Sequence, residues 1–107
     1  MIDPLIDIAN PDTLRLTIRF TQYLRPDGRT RTVEFVVIGD MATKAEKLLK
    51  LGWRFEAEML TTGEVSLTVE DDEDECRAIE IVPNGPEVPK AVDRLVNRAA
   101  EAAKEKS

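Results

Sequence analysis

From Leu14 to Ile38, apolar and polar residues alternate on both sides of a Pro-Asp-Gly triplet. That pattern commits this stretch to a β-hairpin and constrains whatever packs around it. Leu14, Leu16, Ile18 and Phe20 share one face, while Arg15, Thr17, Arg19 and Thr21 share the other. Pro26 presets φ for the first turn position, Asp27 suits the second, and Gly28 accepts φ > 0. The loop therefore reads as a type I turn followed by a glycine bulge. It would pair Arg25 with Arg29, and so Phe20 with Glu34. The apolar pattern asks for a register one residue away, with Phe20 opposite Val33 and Ile18 opposite Phe35. A one-residue slip turns a whole strand over. The conflict predicts an irregularity between Thr21 and Val33, around Gln22-Tyr23. The alternative is a second strand partly buried on both faces, since Val36 and Ile38 are also apolar.

The remainder of the chain is built to cover or extend that hairpin. Asp40 is positioned to cap a helix. Its apolar stripe is Met41, Ala42, Ala45, Leu48 and Leu49, with Lys44, Glu46, Lys47 and Lys50 toward water. Gly52 supplies the left-handed residue that ends a helix, and Trp53 follows where a Schellman motif returns an apolar side chain to Leu48. Trp53, Phe55, Ala57 and Met59 alternate along a third strand. Thr61-Thr62-Gly63 is a second turn-plus-bulge loop, and here the two registers agree. Leu60 pairs with Glu64, Met59 with Val65, Ala57 with Leu67, Phe55 with Val69 and Arg54 with Glu70.

Six consecutive acidic residues, Glu70, Asp71, Asp72, Glu73, Asp74 and Glu75, then repel one another and are expected as an exposed, extended loop. A fifth strand runs from Cys76 to Val82, with Ile79 and Ile81 on one side and Ala78 and Val82 on the other. The cluster Pro83-Asn84-Gly85-Pro86 ends it. Pro89 suits the first turn of a final helix, whose stripe is Val92, Leu95, Val96, Ala99 and Ala103. Lys104 and Lys106 complement that helix's dipole. The expected fold is α+β, a two-layer arrangement in the order β-β-α-β-β-β-α. Its antiparallel sheet has about five strands, and both helices lie on one face. The chain of 107 residues reads as a single domain. Residues 1–11 form an N-terminal arm and residues 70–75 the acidic loop.

Charge and composition narrow the activity. Net charge is −6, with residues 1–52 carrying eight basic groups against seven acidic and residues 53–107 carrying seven against fourteen. Bulk attraction to nucleic acid is therefore disfavoured but not excluded, and a local basic face on the hairpin remains open. No apolar run reaches the roughly 18 residues of a membrane span. The first residues lack a basic leader, so no secretory signal is expected. Cys76 is the only cysteine and forms no intramolecular disulfide, which fits a reducing compartment. There is no histidine, so the commonest general base and metal ligand is absent. The carboxylates beside Cys76 disfavour its thiolate. No Walker or Rossmann glycine pattern occurs, and the acidic run lacks the glycine and ligand spacing of an EF-hand. No enzyme activity, metal or cofactor is expected.

The segments Arg19-Phe20-Thr21-Gln22-Tyr23-Leu24-Arg25-Pro26-Asp27-Gly28-Arg29 and Gly52-Trp53-Arg54-Phe55-Glu56-Ala57-Glu58-Met59-Leu60-Thr61-Thr62-Gly63-Glu64-Val65 resemble a group of small uncharacterised proteins. These occur in bacteriophages, prophages and proteobacterial genomes. The resemblance covers roughly Arg19 to Val69. It implies a phage or bacterial origin and a cytoplasmic setting, and supplies no catalytic or binding residues.

Two surfaces stand out as candidates. Arg15, Arg19, Arg25, Arg29 and Arg31 could line a face that meets phosphate or a carboxylate-rich partner. The run from Glu70 to Glu75 could present an acidic surface. The expected function is a cytoplasmic, non-enzymatic accessory protein that binds another protein or itself, with no membrane partner. The rivals are nucleic-acid binding through the arginine face and nucleic-acid mimicry that blocks a host protein. The first requires Arg15, Arg19 and Arg31 on one exposed surface. The second requires carboxylates spread over an exposed face rather than confined to a loop.

Overall fold

The structure, a computed structural model, describes residues 14–24 and 28–106. The expected N-terminal arm, and the turn positions Arg25, Pro26 and Asp27, lie outside the described residues. Seven elements follow in the expected order. They are β1 (Arg15–Tyr23), β2 (Thr30–Ile38), α1 (Asp40–Lys50), β3 (Arg54–Met59), β4 (Glu64–Glu70), β5 (Cys76–Pro83) and α2 (Glu87–Lys106). The strands form one sheet in the order β2-β1-β3-β4-β5. The helices pack on each other and on one face of it, α1 over β1 and β2, α2 over β4 and β5.

The sheet is mixed rather than antiparallel throughout, because β1 and β3 run parallel, with Phe20 beside Phe55. The chain leaves β2 at Ile38, next to Arg15 at the start of β1. α1 then returns it to β3 at that same end of the sheet. Strands that begin at one end run the same way, so β1 and β3 are parallel, while α1 itself joins β2 to β3, which are antiparallel and separated by β1.

In the first hairpin the apolar register prevails. Phe20 lies opposite Val33 and Ile18 opposite Phe35, and the ladder is continuous from Arg15–Ile38 to Tyr23–Thr30. The irregularity expected near Gln22-Tyr23 is therefore absent from the strands. The loop absorbs the mismatch: Leu24 N–H donates to Arg29 O at 2.8 Å, so four residues rather than three separate the closing pair. Gly28, at φ 75°, donates to Leu24 O at 3.2 Å. Burying Ile18, Phe20 and Val37 outweighs a preference of turn chemistry for one loop length. β2 is not buried on both faces, since Val36 is 58% and Ile38 57% exposed.

Gly39, at φ 60°, is the residue before α1, and its N–H donates to Leu14 O at 2.8 Å. The helix therefore starts one residue earlier than a capping role for Asp40 requires, with Gly39 in the N-cap position. Asp40 occupies the first turn instead, makes no capping hydrogen bond, and pairs with Lys44 at 3.4 Å. The other end of α1 closes as expected. Gly52 has φ 87° and donates to Leu49 O at 3.0 Å, and Trp53 N–H donates to Leu48 O at 3.1 Å. These are the two hydrogen bonds of a Schellman motif, and Trp53 and Leu48 are both buried.

Phe20 sits at the centre of the core. Its ring packs edge-on against Phe35 of β2, with centroids 5.4 Å apart, and tilted against Phe55 of β3 at 5.3 Å. Leu67 and Val69 of β4, Leu48 of α1, and Val92, Leu95 and Val96 of α2 complete it. The registers expected between β3 and β4 are all present, from Arg54–Glu70 to Met59–Val65. None of the described helices is long and apolar enough to cross a membrane.

Candidate interaction surface

Both helices cover the same face, so the sheet's other face is open across all five strands. Strand parity decides which side chains stand there. Arg15, Thr17, Arg19, Thr21 and Tyr23 do so from β1, and Thr30, Thr32, Glu34, Val36 and Ile38 from β2. β3 contributes Arg54, Glu56 and Glu58, and β4 contributes Glu64, Ser66, Thr68 and Glu70. β5 contributes Ile79 and Ile81, which pair with Thr68 and Ser66. The large apolar groups therefore lie toward the two edges, Val36 and Ile38 on β2, Ile79 and Ile81 on β5, separated by four strand spacings and staggered along the strands, since Ile79 and Ile81 are in line with Thr32 and Thr30. Tyr23, threonines and carboxylates fill the space between them.

Ion pairs fix part of this face. Arg19 Nε donates to Glu34 Oε2 at 3.2 Å. Arg54 Nη2 donates to Glu70 Oε1 at 2.7 Å and to Asp74 Oδ1 at 2.5 Å. Tyr23 donates its hydroxyl to Glu56 Oε2 at 3.2 Å. The Glu56 charge and that hydrogen bond hold the Tyr23 phenol above its ordinary value, so it stays a neutral donor.

The five arginines singled out in the sequence do not form one surface. Arg15 and Arg19 stand on the open face. Arg31 pairs with Gln22 and stands on the helix-covered side, its Nε donating to Gln22 Oε1 at 2.5 Å. Arg29 is exposed beside the hairpin loop, and Arg25 lies outside the described residues. A single arginine face is therefore not formed by Arg15, Arg19 and Arg31.

The acidic run is not an extended loop. Asp71 N–H donates to Glu75 O at 2.9 Å and Asp74 N–H to Asp71 O at 3.1 Å, with Asp74 at φ 66°. This repeats the Leu60–Glu64 loop, with Asp74 in the left-handed position that Gly63 holds there. Asp71 is 0% exposed, and its Oδ1 accepts from the backbone N–H of Glu73 at 2.8 Å and of Glu75 at 3.0 Å. Just beyond, the β4–β5 register shifts, leaving Arg77 as the extra residue on β5. Its guanidinium lies 3.8 Å from Asp71 Oδ2 and 3.4 Å from Glu75 Oε2. Backbone donors and two arginines, Arg54 and Arg77, thus overcome the mutual repulsion that favours extension. Glu70, Asp71, Asp72, Glu73, Asp74 and Glu75 form a structured turn.

Pattern reading missed Glu56 and Glu58 beside Tyr23, which the alternation of β3 already placed on its polar side. It also missed Glu80, which lies on the inward side between Ala78 and Val82. Glu80 accepts from Arg94 Nε at 2.9 Å and from Arg98 Nη1 at 2.7 Å, and Arg98 also reaches Ile79 O at 2.6 Å. Burial raises the Glu80 carboxyl, but the two arginine hydrogen bonds outweigh it and bring the group below its ordinary value.

The described residues include no cluster of three or more metal-type ligands. Cys76 is exposed and its thiol lies 3.5 Å from Ala78 O. No protein-family model, curated protein or solved structure matches the chain.

Proposed function

We propose that this chain is a non-enzymatic accessory protein of bacterial or phage type. It acts in the cytoplasm by docking another protein on the open face of its sheet. The observation that carries this reading is the uncovered five-stranded face with Val36, Ile38, Ile79 and Ile81 exposed on it and Tyr23 between them. Single exposed apolar residues are ordinary. Here they come as two neighbouring pairs with Tyr23, threonines and carboxylates on the strands between them, and exposed aromatic and apolar groups favour a protein partner. The phage-type resemblance supports the setting and class of protein, and the histidine-free sequence supports a role without catalysis.

Nucleic-acid binding has less support, because Arg31 is turned away from Arg15 and Arg19 and the open face carries Glu34, Glu56, Glu58, Glu64 and Glu70. Mimicry has less support because the acidic run folds into one tight turn, with Arg54 and Arg77 paired to four of its carboxylates, rather than spreading over a face.

The test is capture from a bacterial lysate by the immobilised chain, quantified against three variants. Ile38→Glu and Ile81→Glu alter the open face, while Lys47→Glu alters the helix side. Proteins lost from both open-face variants and retained by Lys47→Glu meet the expectation. Identical capture by all four chains refutes it. Light scattering of the same variants distinguishes a second copy from a foreign partner, since a homo-oligomer would dissociate in the open-face variants alone.

A further inference from the structure

On the opposite side of the sheet, two hollows adjoin at the hairpin end. One, of about 130 Å³, is walled by Phe35, Met59, Leu67 and Val88. The other, of about 350 Å³, is bordered by Leu24, Leu60 and Thr61. Gln22, Arg31 and Met59 line both.

The polar pair at their junction is placed against the strand pattern. Gln22 follows Ile18 and Phe20 on the inward side of β1 and is only 6% exposed. A buried amide requires a partner, and Arg31 supplies it through Nε. That charge-assisted bond holds the guanidinium at the hollow while using one of its five N–H groups. Arg19, Arg54, Arg77, Arg94 and Arg98 each have a carboxylate within ion-pair distance. Among the described residues, Arg31 has none, and its remaining N–H groups make no hydrogen bond.

We infer that this pair and the apolar hollow beside it form a binding site for a small monocarboxylate with a tail about the size of a benzene ring. An apolar cavity of about 150 Å³ accommodates benzene in another protein, so the 130 Å³ hollow sets the tail size. The planar guanidinium fork matches a carboxylate in shape and charge. A single cation and a chain of net charge −6 disfavour a polyanion. The first turn of α2, which forms one wall through Val88, already carries Glu87. The attraction for an anion therefore rests on Arg31 rather than on the helix end. The site faces away from the proposed docking surface and stands independently of it.

Phenylacetate and phenylacetamide share one tail and differ in charge, so they are the probes. Titration of the isotope-labelled chain, followed by NMR shifts of Phe35, Met59 and Val88, reads binding directly. Phenylacetate should give saturable shifts at these residues. Phenylacetamide should bind at least about tenfold more weakly, and so should phenylacetate with Arg31→Gln. Gln keeps an N–H donor for the Gln22 amide, so Arg31→Gln should remain folded, with wild-type NMR shifts away from the site. Ile81→Glu, on the other face, should bind phenylacetate as the wild type does. Absence of saturation by about 10 mM, equal binding of acid and amide, or an unaffected Arg31→Gln would each overturn the assignment.

Discussion

Replacing Asp71 by alanine should destabilise the fold by roughly 2–4 kcal/mol, although it removes one charge from a run of six acidic residues. Two hydrogen bonds to a charged acceptor are lost, those from Glu73 N–H and Glu75 N–H, each worth about 1.5–3 kcal/mol. Glu73 and Glu75 are exposed, so water recovers part of that loss and the estimate falls below the simple sum. Asp71 itself is fully buried, and its removal also takes a counter-charge from Arg77, whose Nε is buried without a hydrogen bond. Asp71→Asn keeps an acceptor for both N–H groups and should cost less, roughly 1–2 kcal/mol, because neutral hydrogen bonds are about half as strong. Glu73→Gln should stay within about 0.5 kcal/mol of wild type. Urea denaturation at low and high salt separates this account from its rival. If repulsion within the run dominated, Asp71→Asn would stabilise the chain and salt would erase the gain. A wild-type midpoint for Asp71→Ala, or equal damage from Glu73→Gln, would refute the turn as the source of stability.

Two further outcomes follow from the geometry. Gly52→Val should lower stability by roughly 1–2 kcal/mol or more, because a β-branched residue resists φ 87°. An added Cβ would meet Asp72 Cβ at an ordinary 3.7 Å, so the cost is conformational, and an unchanged urea midpoint would disprove it. The Glu80 carboxyl, held below its ordinary 4.5, contributes stability above that value and loses it as pH falls through the lower folded value. Glu80→Gln should therefore be less stable than wild type at pH 7, with the gap closing as pH falls below the ordinary 4.5 and through the lower folded value. A gap that is constant with pH in acid titrations of both chains would contradict the Arg94–Arg98 clasp as its origin.

The three loops show where the sequence was legible and where it was not. At Thr61-Thr62-Gly63 turn chemistry and apolar register coincide, and the structure matches residue by residue. At Pro26-Asp27-Gly28 they conflict by one residue. The register prevails because it governs every buried side chain of β1 and β2, while the turn governs only the loop. At Asp72-Glu73-Asp74 the same three-residue turn forms without a glycine. Aspartate tolerates the left-handed conformation, but the acidic run points to repulsion first. The mixed sheet was hidden for another reason. Alternation assigns each strand's faces and says nothing of which neighbour a strand meets after a helical crossover.

The buried, arginine-paired roles of Gln22, Asp71 and Glu80 were hidden for a common reason, and comparing them separates structure from function. Each is a polar residue on the inward, helix-covered side of a strand or at its end. Each is accompanied by arginine from another segment: Arg31 from β2, Arg77 from β5, and Arg94 with Arg98 from α2. No one-strand pattern can reveal such a partner, because spacing along one segment does not encode what lies across the fold. Asp71 and Glu80 answer their arginines with a full negative charge, and both groups are consumed in holding a turn and a sheet edge. Gln22 is neutral. It orients Arg31, which among the described residues has no carboxylate within ion-pair distance and lies beside an apolar hollow. The same device that fastens the fold at two places therefore presents a cation to the hollow at the third.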